Sequence, residues 1–338
     1  MTLDERFGDS IIILVPVFND WESVELLIQW LDERLAAYNL KGDILLVNDG
    51  STIRDDRRWT EQRYRAVGMI EILELSRNLG HQRAIAVGLA FAQQKRPCRA
   101  VVVMDADGED SPEDVPRLIE ALDAQKQSKV IFAQRMQRSE GKIFKAFYKI
   151  YKAIFFLLTG SSVGFGNFSV VPYDLLCKLV VVSEIWNHYA AAVMKARIPY
   201  FELPTKRGKR LHGRSKMNFV SLAVHGFAAI SVHSDVIGVR VLIAISSLTF
   251  LSVIGILVVA ALSFFSDLAI PSWALFGAFS FIAILLQAVM TALLFVFVIL
   301  SNRSNQAFIP RHDYEQFVHT IKQVYSRHLQ AMSVESQL

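Results

Sequence analysis

Asp105, Asp107, Glu109 and Asp110 fall within six residues, at the end of the apolar run Ala100–Met104. Carboxylates spaced two residues apart can share one hard divalent cation, Mg2+ or Mn2+, and that cation would in turn hold a diphosphate. The same residues also suit a solvated strand-to-helix turn, with Ser111-Pro112-Glu113-Asp114 as cap and first helical turn. An isolated Asp-x-Asp does not choose between the two readings.

Such acids need a scaffold that presents them. A run as apolar as AVVVM reads as a central strand buried on both faces, and open α/β sheets bind ligands at the carboxyl ends of such strands. The rest of the N-terminal half repeats the pattern. Strands are predicted at 11–18, 43–47, 70–75 and 130–133, with helices at 22–38, 81–94 and 114–125. Alternation with short connections predicts a mostly parallel sheet. The first, second and fourth strands each release an acid at the carboxyl end: Asp20, Asp49 and Asp105. Convergent carboxylates there suit ribose hydroxyls or base N–H groups. No glycine-rich phosphate loop accompanies them. GFGNFS at 164–169 lacks the third glycine of a dinucleotide fingerprint and has no clear strand before it.

Hydrophobic residues make up 52% of the 338, and the excess is concentrated late in the chain. Residues 241–266 and 268–302 carry no charge. Each is long enough to cross a hydrocarbon core of roughly 30 Å, which takes about 20 helical residues. Arg240 precedes the first stretch, Arg303 and Arg311 follow the second, and the turn at 267–271 has no Lys or Arg. The positive-inside rule then predicts two membrane crossings with both termini and the large N-terminal region in the cytoplasm. The polar start, 1–10, predicts no signal peptide. Cys98 and Cys177 read as reduced thiols.

Two basic elements stand out against a net charge of only +4. Arg138, Lys142, Lys145, Lys149 and Lys152 recur at spacings of four and three beside Phe144, Phe147, Tyr151 and Phe155, which suits a helix lying on an anionic membrane surface. A solvated charged face over an aromatic core stripe is the plainer alternative. Lys206, Arg207, Lys209, Arg210, Arg214 and Lys216 form the second element. Its place just before the apolar stretches argues against nucleic acid as the partner.

In order, PVFND (16–20), VNDGS (47–51), SRNLG (76–80) and MDAD (104–107) resemble the GT-A glycosyltransferases of family 2, in the polyprenyl-phosphate branch that includes dolichol-phosphate mannose synthase and undecaprenyl-phosphate glucosyltransferases. The resemblance spans about 10–235. It implies a GT-A α/β domain at 1–218, an interfacial segment at 219–239, a transmembrane hairpin at 240–301 and a cytoplasmic tail at 302–338. It implies inverting transfer of a hexose, glucose foremost, from a UDP- or GDP-sugar to polyprenyl phosphate at the cytoplasmic membrane face, in a tetramer. Nucleotide contacts carry over to Pro16, Phe18, Asp20, Val47, Asp49, Asn78, Asp105, Ala106 and Asp107. Metal contacts carry over to Asp105, Asp107 and Glu109, where relatives often have Gln and read DADLQDPPE in place of DADGEDSPED. Arg210, Gly213, Ser215 and Lys216 match the family's phosphate-binding R-x-x-G-x-S-K, and Arg135, Arg138, Lys145 and Lys149 join the lipid and phosphate set. The expected catalytic group is Asp105, Asp107, Arg135 and Asn167. Some relatives carry an Asp where this chain has Asn167, which cannot be a base. The chain is expected to dispense with a base, Asn167 orienting sugar or phosphate; Glu184 and His188 are the alternatives. A processive polysaccharide synthase would need a Gln-x-x-Arg-Trp element and further spans, and a non-catalytic nucleotide-binding scaffold would not need the acids. Residues 302–338 show weak helical periodicity through Tyr314, Phe317, Ile321, Val324 and Tyr325, and no function is assigned to them.

Overall fold

The structure, a computed structural model, describes residues 10–53, 55, 59, 62–135, 142–160, 165–212, 219–265, 271–303 and 308–327. In chain order the main elements are β1 (Ile11–Val17), α1 (Trp21–Ala37), β2 (Gly42–Asn48), β3 (Val67–Leu75), α2 (His81–Lys95), β4 (Ala100–Val103), α3 (Asp114–Ala124), β5 (Val130–Arg135), α4 (Lys142–Thr159), β6 (Ser169–Pro172), α5 (Tyr173–Leu179), α6 (Tyr189–Lys195), β7 (Tyr200–Thr205), α7 (Phe219–Ser231), α8 (Ser234–Phe265), α9 (Ser272–Arg303) and β8 (Val318–Ser326).

Every residue of β1 is buried, because successive side chains enter different cores. Ile11, Ile13, Val15 and Val17 pack with Val24, Leu27, Ile28, Leu31 and Leu35 of α1. Ile12 and Leu14 pack with Ala84, Ile85 and Leu89 of α2 on the opposite face. That two-sided burial is why the strand has no polar alternation.

Among the described residues the sheet has eight strands in the order β7-β5-β6-β4-β1-β2-β3-β8. β4, β1, β2 and β3 are mutually parallel, as are β5 and β7; β6 and β8 run antiparallel to their neighbours. The mostly parallel α/β fold read from the sequence is the fold observed, and the parallel strands bring the carboxyl ends of β1, β2, β3 and β4 to one rim.

The helical periodicity read in residues 314–325 is corrected by the structure: a single 3-10 turn at Tyr314–Phe317 leads into β8, which pairs with β3. The spacing misleads because each apolar residue serves a different neighbour. Tyr314 meets Phe91 edge-on, Phe317 meets Trp186, and Tyr325 meets Tyr64 at 4.9 Å between ring centres.

The chain divides into two compact units. The sheet unit holds the described residues up to 135, from 165 to 232 and from 308 to 327. The other holds α4, α8 and α9. Ser234–Leu262 and Phe276–Ile299 are long and apolar enough to cross a membrane, and they turn many large apolar side chains outward, Phe250, Leu257, Phe276 and Phe297 among them. Within this unit Arg240 Nη1 donates to Leu157 O at 3.1 Å and to Leu158 O at 3.3 Å, satisfying carbonyls that the end of α4 would leave open.

Candidate active site

The rim is assembled by hydrogen bonds between the strand ends. Asn19 adopts φ 53°, and its Oδ1 accepts from Thr52 N at 2.8 Å and Ile53 N at 2.9 Å. The end of β1 is thereby tied to the loop after β2. Asp49 accepts from Leu79 N at 2.6 Å and Gly80 N at 2.9 Å, pinning the SRNLG segment. Burial pushes its carboxyl above the ordinary range, against those two N–H groups. Gly50, at φ 66°, lies under the same segment; a Cβ there would come 2.5 Å from Asn78 N. Phe18 is 43% exposed beside this frame, an aromatic face open to a planar ligand.

After β4 the acidic turn is shaped by its own carboxylates. Asp105 N donates to Asp110 Oδ2 at 2.9 Å, and Glu109 N donates to Asp107 Oδ1 at 2.9 Å. Asp110 is buried, so its role is to shape the turn. Burial first, then the charges of Asp105 and Glu109, raise the Asp107 carboxyl, while Glu109 N–H and Arg210 pull the other way. Arg210 Nη2 lies 2.6 Å from Asp107 Oδ2, and its Nε lies 3.9 Å from Glu109 Oε1. Arg207 Nη2 meets Glu109 Oε2 at 2.6 Å.

His81, the first residue of α2, faces the turn. Its Nε2 is 3.2 Å from Asp105 Oδ1 and 3.1 Å from Asn167 Nδ2. Burial disfavours the charged ring, but its side chain is 43% exposed, and Asp105, Asp110 and Asp49 outweigh that effect and raise its pKa. Gln82 Nε2 donates to Asn167 Oδ1 at 3.2 Å, and Gln82 Oε1 accepts from Tyr189 N at 2.7 Å.

Residues 12–173 match the family model described as "Glycosyl transferase family 2". That stretch is a family 2 glycosyl transferase domain. Over 222 residues the chain is 27% identical to the undecaprenyl-phosphate 4-deoxy-4-formamido-L-arabinose transferase of Edwardsiella ictaluri, covering 62% of this chain and 63% of the relative. It is 27% identical to the dodecaprenyl-phosphate galacturonate synthase of Rhizobium johnstonii over 38% of this chain and 37% of that one. The chain spans less than two thirds of these relatives' lengths. Among solved structures, the glucosyl-3-phosphoglycerate synthase of Mycobacterium tuberculosis aligns at 13% identity and a TM-score of 0.49, over 70% of this chain and 82% of that one.

Within the glycosyl transferase domain the structure brings together Phe18, Asp20, Asp49, Asn78, Asp105, Ala106, Asp107 and Glu109 on the rim built by β1 to β4. Pro16 and Val47 face each other in the β1–β2 ladder and are buried. Asp20 Oδ1 accepts from Ser23 Oγ at 2.7 Å. Arg135 ends β5. Lys145 and Lys149 lie in α4, in the other unit. Arg138, Ser215 and Lys216, with Gly213 and Arg214, lie outside the described residues. Glu184 and His188 are engaged elsewhere: burial raises the Glu184 carboxyl, but its 3.0 Å pair with Lys195 prevails and lowers it, and His188 Nδ1 accepts from Ala191 N at the start of α6.

Sequence reasoning missed His81, Gln82 and the pairing of Arg207 with Glu109. The available signal was position: His81-Gln82 directly follows SRNLG, at the first turn of a helix whose start lies on the rim. The oxygen donors fit a hard divalent cation. A cationic group already sits between two of them, since Arg210 reaches both Asp107 and Glu109. No three acids, imidazoles or thiols converge into a ready cage among the described residues.

Proposed function

We propose that the protein is a membrane-bound glycosyltransferase that moves a sugar from a nucleotide diphosphate sugar to a polyprenyl phosphate, with inversion at the anomeric carbon. The observation that carries this reading is the charge layout at the rim, where two of the three acids after β4, Asp107 and Glu109, meet the guanidinium groups of Arg207 and Arg210. A family 2 domain with these acids suits a diphosphate donor. The relatives named for undecaprenyl and dodecaprenyl phosphate support the acceptor class.

The chemistry asks little of side-chain bases. A phosphate monoester is already anionic near neutral pH, so the site must align it with the anomeric carbon and stabilise the departing diphosphate. Asp107 and Glu109 would hold Mg2+ or Mn2+, with Asp105 touching donor or metal. The cation would supply charge neutralisation at the leaving diphosphate. Phe18 would stack on the base, and Asp20 would accept from the nucleoside. Asn167, held by the amide of Gln82, would orient sugar or phosphate. Arg135, Arg210 and Lys216 would bind phosphate oxygens.

The membrane arrangement is part of the proposal. β8 follows α9 in the chain and pairs with β3, so both flanks of the α8–α9 hairpin belong to one folded unit. That supports an even number of crossings, and the positive-inside rule assigns the flanks to the cytoplasm. α4, with Lys149 and Ile150 exposed, would lie at the lipid surface.

Radiolabelled UDP-glucose, tried first, and then other nucleotide sugars, incubated with detergent-solubilised protein, undecaprenyl phosphate and Mn2+, should yield label in the organic phase. Absence of transfer with every common donor would overturn the reading in favour of a nucleotide-binding scaffold.

A further inference from the structure

The segment from Arg207 to Leu211 lies along the acidic turn as a short strap. Gly208 N donates to Glu109 O at 2.9 Å, and Leu211 N donates to Asp107 O at 2.8 Å. Two glycines permit the approach. A Cβ on Gly208 would overlap Gly108 O, and one on Gly108, which sits at φ 81°, would come 2.5 Å from Leu211 Cγ. On this backbone frame Arg207 and Arg210 each set a guanidinium 2.6 Å from an acid of the turn. One residue beyond Leu211, His212 Nδ1 lies 2.8 Å from Glu22 Oε2 in the first turn of α1, so the strap runs from the β4 rim to the β1 rim.

We propose that the strap is a built-in counter-ion: Arg207 and Arg210 hold the carboxylates that the divalent cation takes, so cation entry and arginine release are one exchange. This rests on reading Asp107 and Glu109 as cation ligands. Three half-buried acids in five residues repel one another, and leaving them uncompensated is costly. The guanidiniums supply that compensation while the site is empty. A divalent ion adds two charges to the same oxygens and competes directly with the two arginines. Once displaced, planar guanidiniums are suited to bind phosphate oxygens in bidentate fashion. The backbone hydrogen bonds keep both arginines within reach, so the exchange requires side-chain rotation alone. The cation therefore binds weakly to the empty protein and more tightly once donor phosphates receive the arginines.

Titration of the detergent-solubilised full chain with Mn2+, followed by loss of the free-ion EPR signal, tests the exchange. The Arg207→Gln/Arg210→Gln double variant, checked for folding by circular dichroism, should bind Mn2+ about tenfold more tightly than wild type, as expected for removing the partly exposed ion pairs of both arginines. Equal or weaker binding overturns the proposal. Phenylglyoxal labelling read by peptide mass spectrometry needs no variant: Mn2+ alone should raise modification of Arg207 and Arg210 in wild type, and an unchanged rate overturns the exchange. Mn2+ binding that survives Asp107→Asn removes the cation site itself, and the strap's role with it. Loss of binding in Asp107→Asn with no gain in the double variant leaves the cation site standing and removes the exchange alone.

Discussion

His81 sets its Nε2 3.2 Å from Asp105 Oδ1 at the edge of the acidic turn. The same nitrogen lies 3.1 Å from Asn167 Nδ2 and serves one of the two at a time, donating to Asp105 when protonated and accepting from Asn167 when bare. Positioning of this kind governs turnover more than affinity. His81→Ala is expected to lower kcat by about ten- to a hundredfold with little change in donor KM, while His81→Gln, able to donate to Asp105, recovers part of the loss. Steady-state transfer kinetics check this; an equal rise in donor KM for both variants would count against it.

Asp49 is expected to act through structure. Asp49→Ala strands the Leu79 and Gly80 N–H groups, a loss of about 1–3 kcal/mol. Its pH dependence has a definite sign. A carboxyl raised by burial takes up a proton more readily folded than unfolded, so its contribution is fully present below the unfolded value of about 3.9 and is lost as pH rises through the raised folded value. The gap in thermal midpoint between wild type and Asp49→Ala should widen as pH falls from neutral into that window.

Removing the cation should silence transfer. EDTA is expected to abolish it and Mn2+ to restore it, and Asp107→Asn should lower turnover by about a hundredfold or more. The assay described above for the nucleotide sugars reads both. Full activity in chelator would remove the metal from the mechanism.

Tyr325 anchors β8: it is buried, packs edge-on against Tyr64, and its hydroxyl accepts from Tyr64 N at 3.4 Å. Tyr325→Ala is expected to cost about 3 kcal/mol. Amide exchange should accelerate selectively across β3, residues 67–75, since that strand loses its outer partner. Protection unchanged along β3 would refute an anchoring role.

Much of this was legible in the residues themselves. Strands with both faces buried declare themselves as continuous apolar runs, so β1, β2 and β4 could be read directly, and an acid placed at the end of each marked the rim. β8 could not be read this way. It is an edge strand in which Tyr325 is buried and Ile321 exposed, so no alternation reveals it. The strap was hidden for another reason: Arg210 and Asp107 are 103 positions apart, and nothing in either local sequence encodes their meeting. His81 was overlooked because a polar residue at a helix start is ordinary, and only tertiary placement beside Asp105 gives it significance. Asp49 shows the converse, a rim acid correctly located whose two oxygens are engaged by the backbone of its own loop.

The pairing of β8 with β3 also bears on biogenesis. A ribosome synthesises the hairpin before it synthesises β8, so the outer edge of β3 stays bare until both apolar helices have emerged. The sheet is thus completed last, after both apolar helices have been made. A chain in which the two ends of the hairpin were held apart could not close its own sheet.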